Sequence, residues 1–241
     1  MHLRHLRLPG LTPYTKASAT QDKLVQAFLV AKASASATSL TTKLSPPLPT
    51  IITAEFNPVY TCGRREIGTV SSSSQAFLRD NGRAEFHEAL RGGQTTFHGP
   101  GQLTAYPILD LKSHGLNPRN YVCLLEKTVI ATLARYGVKA FTTEHPGVWT
   151  TDDDKICALG VHLRRNITSH GIGLNVATDL TWFSRIVACG LEGKRTTSLE
   201  NEGVKLGDDA VEQVGNVFVE EFAKALQGVD SVVEITEDEL D

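Results

Sequence analysis

Apolar and polar positions alternate over residues 3–8, the two-residue period of a half-buried strand. Thr12-Pro13 then reads as a helix cap with proline at the first helical position, and Leu24, Ala27, Phe28 and Ala31 continue one apolar face. Residues 33–50, ASASATSLTTKLSPPLPT, are low in complexity and end in prolines, which predicts a surface insertion. Ile51 to Phe56 has the content of a strand, and SSSSQ at 71–75 predicts a second loop. The stretch from Arg91 to Leu111 is glycine-rich and then strand-like. Asn117-Pro118 caps the clearest helix, with Val122, Leu125, Val129, Leu133 and Tyr136 on one side and Gly137 ending it. Residues 147–163 read as two strands around the acidic turn Asp152–Asp154, and 170–176 as a short strand. A last helix begins near Asp208, with Val211, Val214, Phe218, Phe222 and Leu226 in register.

Strands grouped between helices, without regular βαβ alternation, predict an α+β fold. The 241 residues suffice for a single domain over 1–227, with an insertion at about 33–50 and an acidic tail over 228–241. No run approaches 18 apolar residues, so no membrane span is expected. The net charge of −3 conceals an asymmetry: residues 200–241 carry 13 acids against 2 bases, which leaves residues 1–199 at +8. A basic body suits an acidic partner, and equally a solvated surface with an acidic last helix. No aromatic or basic motif points to nucleic acid.

Cysteines 62, 123, 157 and 189 form no C-x-x-C pair, and the histidines show no metal-ligand spacing, so no metal is expected. Cys62 and Cys123 read as packing residues. In RGGQTTFHGPGQ (91–102), glycines permit positive φ and let backbone N–H groups approach a ligand, yet neither nucleotide-binding glycine pattern is present. By composition this is either a binding loop or a tight turn with a structural histidine. Lys155, opening an apolar strand, either enters a pocket or pairs with Asp152, Asp153 or Asp154. Cys189 in IVACGLEGKRTTSL is either a loop-borne nucleophile or an inert buried thiol, and Cys157, two residues from Lys155 on the same strand face, is a rival.

Taken together, NPVYTCGRR (57–65), RGGQTTFHGPGQLTAYPILDL (91–111), PGVW with KICALGVHL (146–163), HGIGLNV (170–176) and ACGLEGKRTTSL (188–199) resemble the lipoyl(octanoyl) transferase family. The match runs in the family's order over most of residues 1–226. Cys62 stands where the family usually has leucine, Ala188 where proline often precedes the cysteine, and residues 33–50 are longer than compact members need. The resemblance implies a mixed β-sheet flanked by helices, like the catalytic domain of biotin and lipoate ligases. It implies transfer of an octanoyl group from octanoyl-acyl carrier protein to a lysine of a lipoyl domain, the first step of endogenous lipoate synthesis. The acceptors it implies are the lipoyl domains of 2-oxoacid dehydrogenases and the glycine cleavage H protein. By motif, Cys189 is the acyl-thioester nucleophile and Lys155 lowers its pKa and serves as acid or base. Arg91, Gly92, Gly93, Gln94, Thr95, Thr96, Phe97 and His98, with Ala158, Leu159 and Gly160 and with Gly171, Ile172 and Gly173, take the acyl-binding positions.

A thioester donor and a thioester intermediate make the first step near thermoneutral and the amide product downhill, so neither ATP nor a cofactor is expected. Leu103, Tyr106 and Leu159 are candidate tunnel lining, and Arg64, Arg65, Arg164 and Arg165 candidate contacts for acidic partners. Two readings compete. An ATP-dependent lipoate–protein ligase of the same fold would need a nucleotide and no catalytic cysteine. A non-catalytic acyl- or lipoyl-domain-binding protein would bind without turnover. The acid-free basic start (Arg4, Arg7, Lys16) and the insertion lean toward a mitochondrial protein, the alternative being a cytoplasmic bacterial one.

Overall fold

The computed structural model describes residues 1–36, 44–186 and 193–240. Eleven strands among these residues form two sheets. They are β1 (His2–Thr12), β2 (Thr50–Phe56), β3 (Val59–Cys62), β4 (Glu85–Glu88), β5 (Thr96–His98), β6 (Gln102–Ile108), β7 (Val148–Trp149), β8 (Asp154–Arg164), β9 (Ile167–Asn175), β10 (Arg195–Thr196) and β11 (Ser231–Ile235). The large sheet runs β10-β8-β9-β6-β2-β1-β11, with β7 paired to β8; the small one runs β4-β3-β5. Pairing is mixed: β1 lies parallel to both β2 and β11, while β2, β6, β9 and β8 are successively antiparallel. This is the expected α+β class with a mixed sheet.

Four α-helices flank the sheets: α1 (Tyr14–Ser36), α2 (Ser72–Arg79), α3 (Pro118–Arg135) and α4 (Ala210–Ala225). Alternation along the strands sorts the core into two layers. Ile51, Leu103, Ala105, Ile172 and Leu174 meet Leu125, Val129 and Leu133 of α3 and Val214, Phe218 and Phe222 of α4. Ile52, Phe56, Tyr106 and Ile108 face the other way, against Tyr14, Leu24 and Phe28 of α1. A third cluster closes the small sheet, with Tyr60 and Phe97 against Leu78 of α2 and Trp182.

Local chemistry accounts for the helix ends. The Asn117 side chain accepts the N–H of Asn120 at 2.9 Å, and Pro118 occupies the first turn of α3, where its missing N–H is no loss. The serine run 71–75, expected as a loop, is instead the start of α2: Ser71 is its N-cap, accepting the N–H of Ser74 at 3.1 Å. The insertion expected at 33–50 begins later, because α1 continues to Ser36; 37–43 lie outside the described residues. Cys123, expected to pack, is exposed on α3, whereas Cys62 and Cys157 are buried.

The acidic stretch 228–241 does not trail as a tail. Its Ser231–Ile235 adds in parallel to the edge of β1, with His2 opposite Ser231 and Leu6 opposite Ile235. Its charge is taken up by the basic body. Arg7 reaches Glu234 at 2.8 Å, as it does Glu212 of α4 at 2.6 Å, and Lys16 reaches Glu237 at 2.7 Å. Part of the charge asymmetry is therefore an internal pairing of the chain's two ends.

Phe218 is fully buried between α3, α4 and the sheet, so Phe218→Ala is expected to cost about 3–5 kcal/mol, read as a lowered midpoint of urea unfolding with unchanged slope.

Candidate active site

The α1-side face of the large sheet and the loop preceding β5 enclose a cavity of about 340 Å³. Its back wall is the middle of β8 and β9, Ala158–Gly160 and Gly171–Gly173. Its sides are Arg91, Gly93, Gln94, Thr96 and His98, with Tyr106 of β6. His145, Pro146 and Lys155 close one end, and Arg65 and Glu66 line it as well.

The wall is built from absent side chains. Gly92 N–H donates to Val161 O at 2.9 Å, laying the loop flat on β8. A Cβ on Gly160 would stand 2.9 Å from both Gly92 O and Arg91 Cδ, and a Cβ on Gly63 would overlap Gly93 O. Only glycine allows these backbones to approach so closely.

Arg91 fastens the loop. It is 6% exposed, and its guanidinium donates to Thr61 O at 2.6 Å, to Thr61 Oγ1 at 2.8 Å and to Gly92 O and Gln94 O at 3.0 Å each. Backbone carbonyls of β3 and of the loop itself thus solvate a buried cation. That charge acts on its neighbours. Burial first, and Arg91 second, push the His98 pKa down to about 4 and the His170 pKa down to about 3. Both rings are neutral at physiological pH. His170 adopts φ +56°, uncommon outside glycine, and sets its ring edge-on to Tyr106, 5.5 Å between centroids. Its strand neighbours Ile172 and Leu174 stay on the opposite layer.

Lys155 is 6% exposed near the start of β8. Its Nζ donates to Pro146 O at 3.0 Å and lies 4.5 Å from the centroid of the Trp149 ring, a cation–π placement. The alternative pairing with the acidic turn does not occur: Arg195 takes Asp154 at 2.7 Å and Lys194 takes Asp153 at 2.8 Å. Thr196 of β10 is the register partner of Lys155, and Thr197 N–H donates to Lys155 O at 2.9 Å.

A glycine-walled cavity with a buried lysine at one end, on this topology, can be compared with known proteins. The family model for the lipoyl protein ligase A/B catalytic domain matches residues 30–223. The chain belongs to this family. A Schizosaccharomyces pombe protein bearing the name "Probable octanoyltransferase" is 52% identical over 85% of this chain and 88% of its own. The Danio rerio octanoyl-[acyl-carrier-protein]:protein N-octanoyltransferase LIPT2, mitochondrial, is 45% identical over 72% of this chain and 77% of its own. The structure of protein Ta0514 from T. acidophilum, with bound lipoic acid, is similar at a TM-score of 0.70 over 100% of this chain and 93% of that one; at 17% identity this speaks for the fold alone.

Within this family frame, the expected positions divide. Arg91, Gly93, Gln94, Thr96, His98, Lys155, Ala158, Leu159, Gly160, Gly171, Ile172 and Gly173 meet at the cavity. Gly92, Thr95 and Phe97 do not line it. Gly92 is spent on the bond to β8, and Thr95 Oγ1 donates to Glu66 Oε2 at 3.0 Å. Phe97 points into the small core, stacked 5.1 Å from Trp182. Of the candidate tunnel residues, Tyr106 and Leu159 line the cavity, but Leu103 belongs to the opposite layer against α4. Cys157 is buried in the main core. Cys189 lies outside the described residues. Arg64, Arg164 and Arg165 are exposed, and the first two lower the His162 pKa together with its burial. Glu66, His145 and Pro146 complete the cavity without having been singled out. Pro146 lies inside a recognisable segment, but nothing in the sequence marks Glu66.

Buried neutral histidines have a consequence for stability. His5, held 2.7 Å from Thr53 Oγ1, has its pKa lowered to about 4 by burial and by Arg7, alongside His98 and His170. Between about pH 4 and 6.5 the unfolded chain binds more protons than the folded one, so stability is full above 6.5 and declines as pH falls. Urea midpoints measured at pH 7, 6 and 5 are expected to drop, each such histidine adding at most about 1.4 kcal/mol per pH unit, and His5→Gln should flatten the decline. Gly160→Val is expected to lift the 91–94 loop and to lower both thermal stability and acyl-group binding, read by differential scanning calorimetry and by titration with octanoate.

Proposed function

We propose that this chain is an octanoyltransferase that works through a thioester on Cys189. The acyl group comes from octanoyl-acyl carrier protein and goes to a lysine of a lipoyl domain, without ATP. The observation that carries the reading is the position of Lys155. Its ammonium is fixed at one end of a cavity walled by glycine, alanine, leucine and isoleucine, and its strand pairs with Thr196, just after the segment holding Cys189. Cysteine thiolate both attacks and leaves a thioester readily, and a nearby cation favours the thiolate over the thiol.

The cavity suits an acyl chain. Burying about six methylenes at about 0.8 kcal/mol each supplies roughly 5 kcal/mol of binding. Octanoyl is the group named for the relatives at 45–52% identity, which supports the transferase reading over the ATP-dependent ligase. The acceptor domains are those of 2-oxoacid dehydrogenases and the glycine cleavage H protein. The place of action is the mitochondrion, by likeness to the zebrafish relative. Arg65 at the cavity, with the exposed Arg64 and Arg164, would speed the encounter with acidic partners.

Incubated with octanoyl-acyl carrier protein and no acceptor, the protein is expected to gain one octanoyl group by intact mass. The adduct should be released by hydroxylamine, absent in Cys189→Ala and formed on the order of 10²-fold more slowly in Lys155→Ala. An adduct that persists in Cys189→Ala but not in Cys157→Ala would assign the wrong cysteine. Product formation that requires ATP and free octanoate would mean a ligase.

A further inference from the structure

The reaction above uses Cys189 and Lys155 and gives no chemical task to the His98 imidazole, which lines the cavity. Its tautomer is fixed by a chain of amides ending on the main chain. Backbone carbonyls only accept. Asn175 Nδ2 therefore donates to Thr197 O at 3.0 Å, which leaves Asn175 Oδ1 to accept from Gln102 Nε2 at 2.8 Å. The same Gln102 nitrogen donates to Phe97 O at 3.3 Å. Gln102 Oε1 is thereby turned to His98 Nδ1, 2.6 Å away. An amide oxygen has no hydrogen to give, so Nδ1 carries the proton and Nε2 keeps its lone pair. No described protein group bonds Nε2, and His98 lines the cavity.

Lys155 has the opposite disposition. Its Nζ donates to Pro146 O and sits over the Trp149 ring, and an ammonium has no lone pair with which to accept. The two groups are joined structurally, because Thr197, which anchors the amide chain, also bonds Lys155 O. Gln102, Asn175 and Lys155 further share a small cavity of about 20 Å³, space for one water.

We propose that His98 is a further catalytic residue of acyl transfer, its Nε2 receiving the hydrogen lost by the attacking lysine nitrogen. This rests on the Cys189 thioester reading. The acceptor lysine sheds its ammonium proton to solvent and attacks as the amine. The N–C bond forms, and the tetrahedral carbon's oxygen takes up the carbonyl electron pair. A hydrogen on the now cationic nitrogen passes to His98 Nε2. The carbonyl re-forms as the C–S bond breaks, and the sulfur leaves as a thiolate. His98 then returns its proton to the thiolate or to water and is neutral again.

The groups around the ring are consistent with this. Burial, and then the Arg91 cation on the loop before β5, oppose a resting positive charge on it, while the Gln102 oxygen partly favours one. Tyr106 on β6 has its pKa raised well above 10 by burial, and His170 on β9 is neutral, so no anion among these neighbours favours imidazolium.

The test separates the two half-reactions. Octanoyl-enzyme is formed first, then mixed with a lipoyl domain and followed by intact mass in wild type, His98→Ala and Gln102→Glu. His98→Ala is expected to slow transfer to lysine on the order of 10²-fold, and to slow acyl-enzyme formation much less. Gln102→Glu sets a carboxylate against Nδ1–H, favours imidazolium and turns Nε2 from acceptor into donor. Its transfer rate relative to wild type is therefore expected to fall as pH is lowered from 8 to 6. A merely structural histidine would leave that ratio constant. Transfer at the wild-type rate in folded His98→Ala, or a ratio that does not move with pH, overturns the role of His98 while leaving the thioester intact. Should His98→Ala not fold, the Gln102→Glu ratio decides alone. Absence of any acyl-enzyme on wild type overturns the thioester reading and this proposal with it.

Discussion

The Arg91 guanidinium is the interaction on which the cavity depends. A buried cation is costly unless its donors are satisfied, and here the partners are Thr61 on β3 and the carbonyls of the loop that Arg91 itself begins. The small sheet and the loop are therefore joined through one side chain, and the Gly92 N–H bond to Val161 O lays the loop on β8. Lysine could not substitute, because the planar fork engages several carbonyls at once. The same charge then sets the electrostatics of the interior. It adds to burial in holding His98, which lines the cavity, and the nearby His170 neutral.

How far the fold is legible in the sequence depends on whether a segment has one wet face. α3 and α4 do, and their caps and apolar stripes are readable to within a few residues. β6 is buried along its whole length, so the alternation that sends Leu103 to one layer and Tyr106 to the other leaves no mark in polarity. The small sheet is made of strands of three and four residues, too short for any period to register. α2 is hidden by composition: a serine run reads as loop, although serine is also the preferred N-cap. β11 is hidden by charge, because its glutamate faces Arg7 rather than solvent alone. The site shows the same division. Glycine spacing indicates close backbone approach, but which glycine meets which loop is decided by tertiary contact. The roles of Lys155 and Cys189 come from family resemblance, since a lysine near three aspartates reads locally as a surface pair.

The fate of those aspartates shows how the chain keeps Lys155 for the cavity. Asp153 and Asp154 are occupied by Lys194, which precedes β10, and Arg195, which opens it. These exposed pairs contribute little stability individually. Their effect is one of sorting: the carboxylates nearest in sequence to Lys155 are engaged on the outside of the sheet, and the Lys155 ammonium is left to a carbonyl and an indole face. A carboxylate partner would have competed with a cysteine thiolate for the same charge. A carbonyl and a π-face hold the cation in position without neutralising it.

Lys155 and His98 thus receive opposite characters from one framework. Both are buried, both border the same cavity, and both are tied to Thr197, one by the main chain and the other through Asn175 and Gln102. Yet one meets a carbonyl and an indole face, while the other is held neutral by burial and Arg91 with Gln102 fixing its protonated nitrogen. Aminolysis of a thioester needs both states: a cation where negative charge leaves on sulfur, and a lone pair where a hydrogen leaves nitrogen. Under the proposed mechanism the two groups start from different states, and their partners, a carbonyl and an indole for Lys155 and an amide for His98, are set by folding before any substrate arrives.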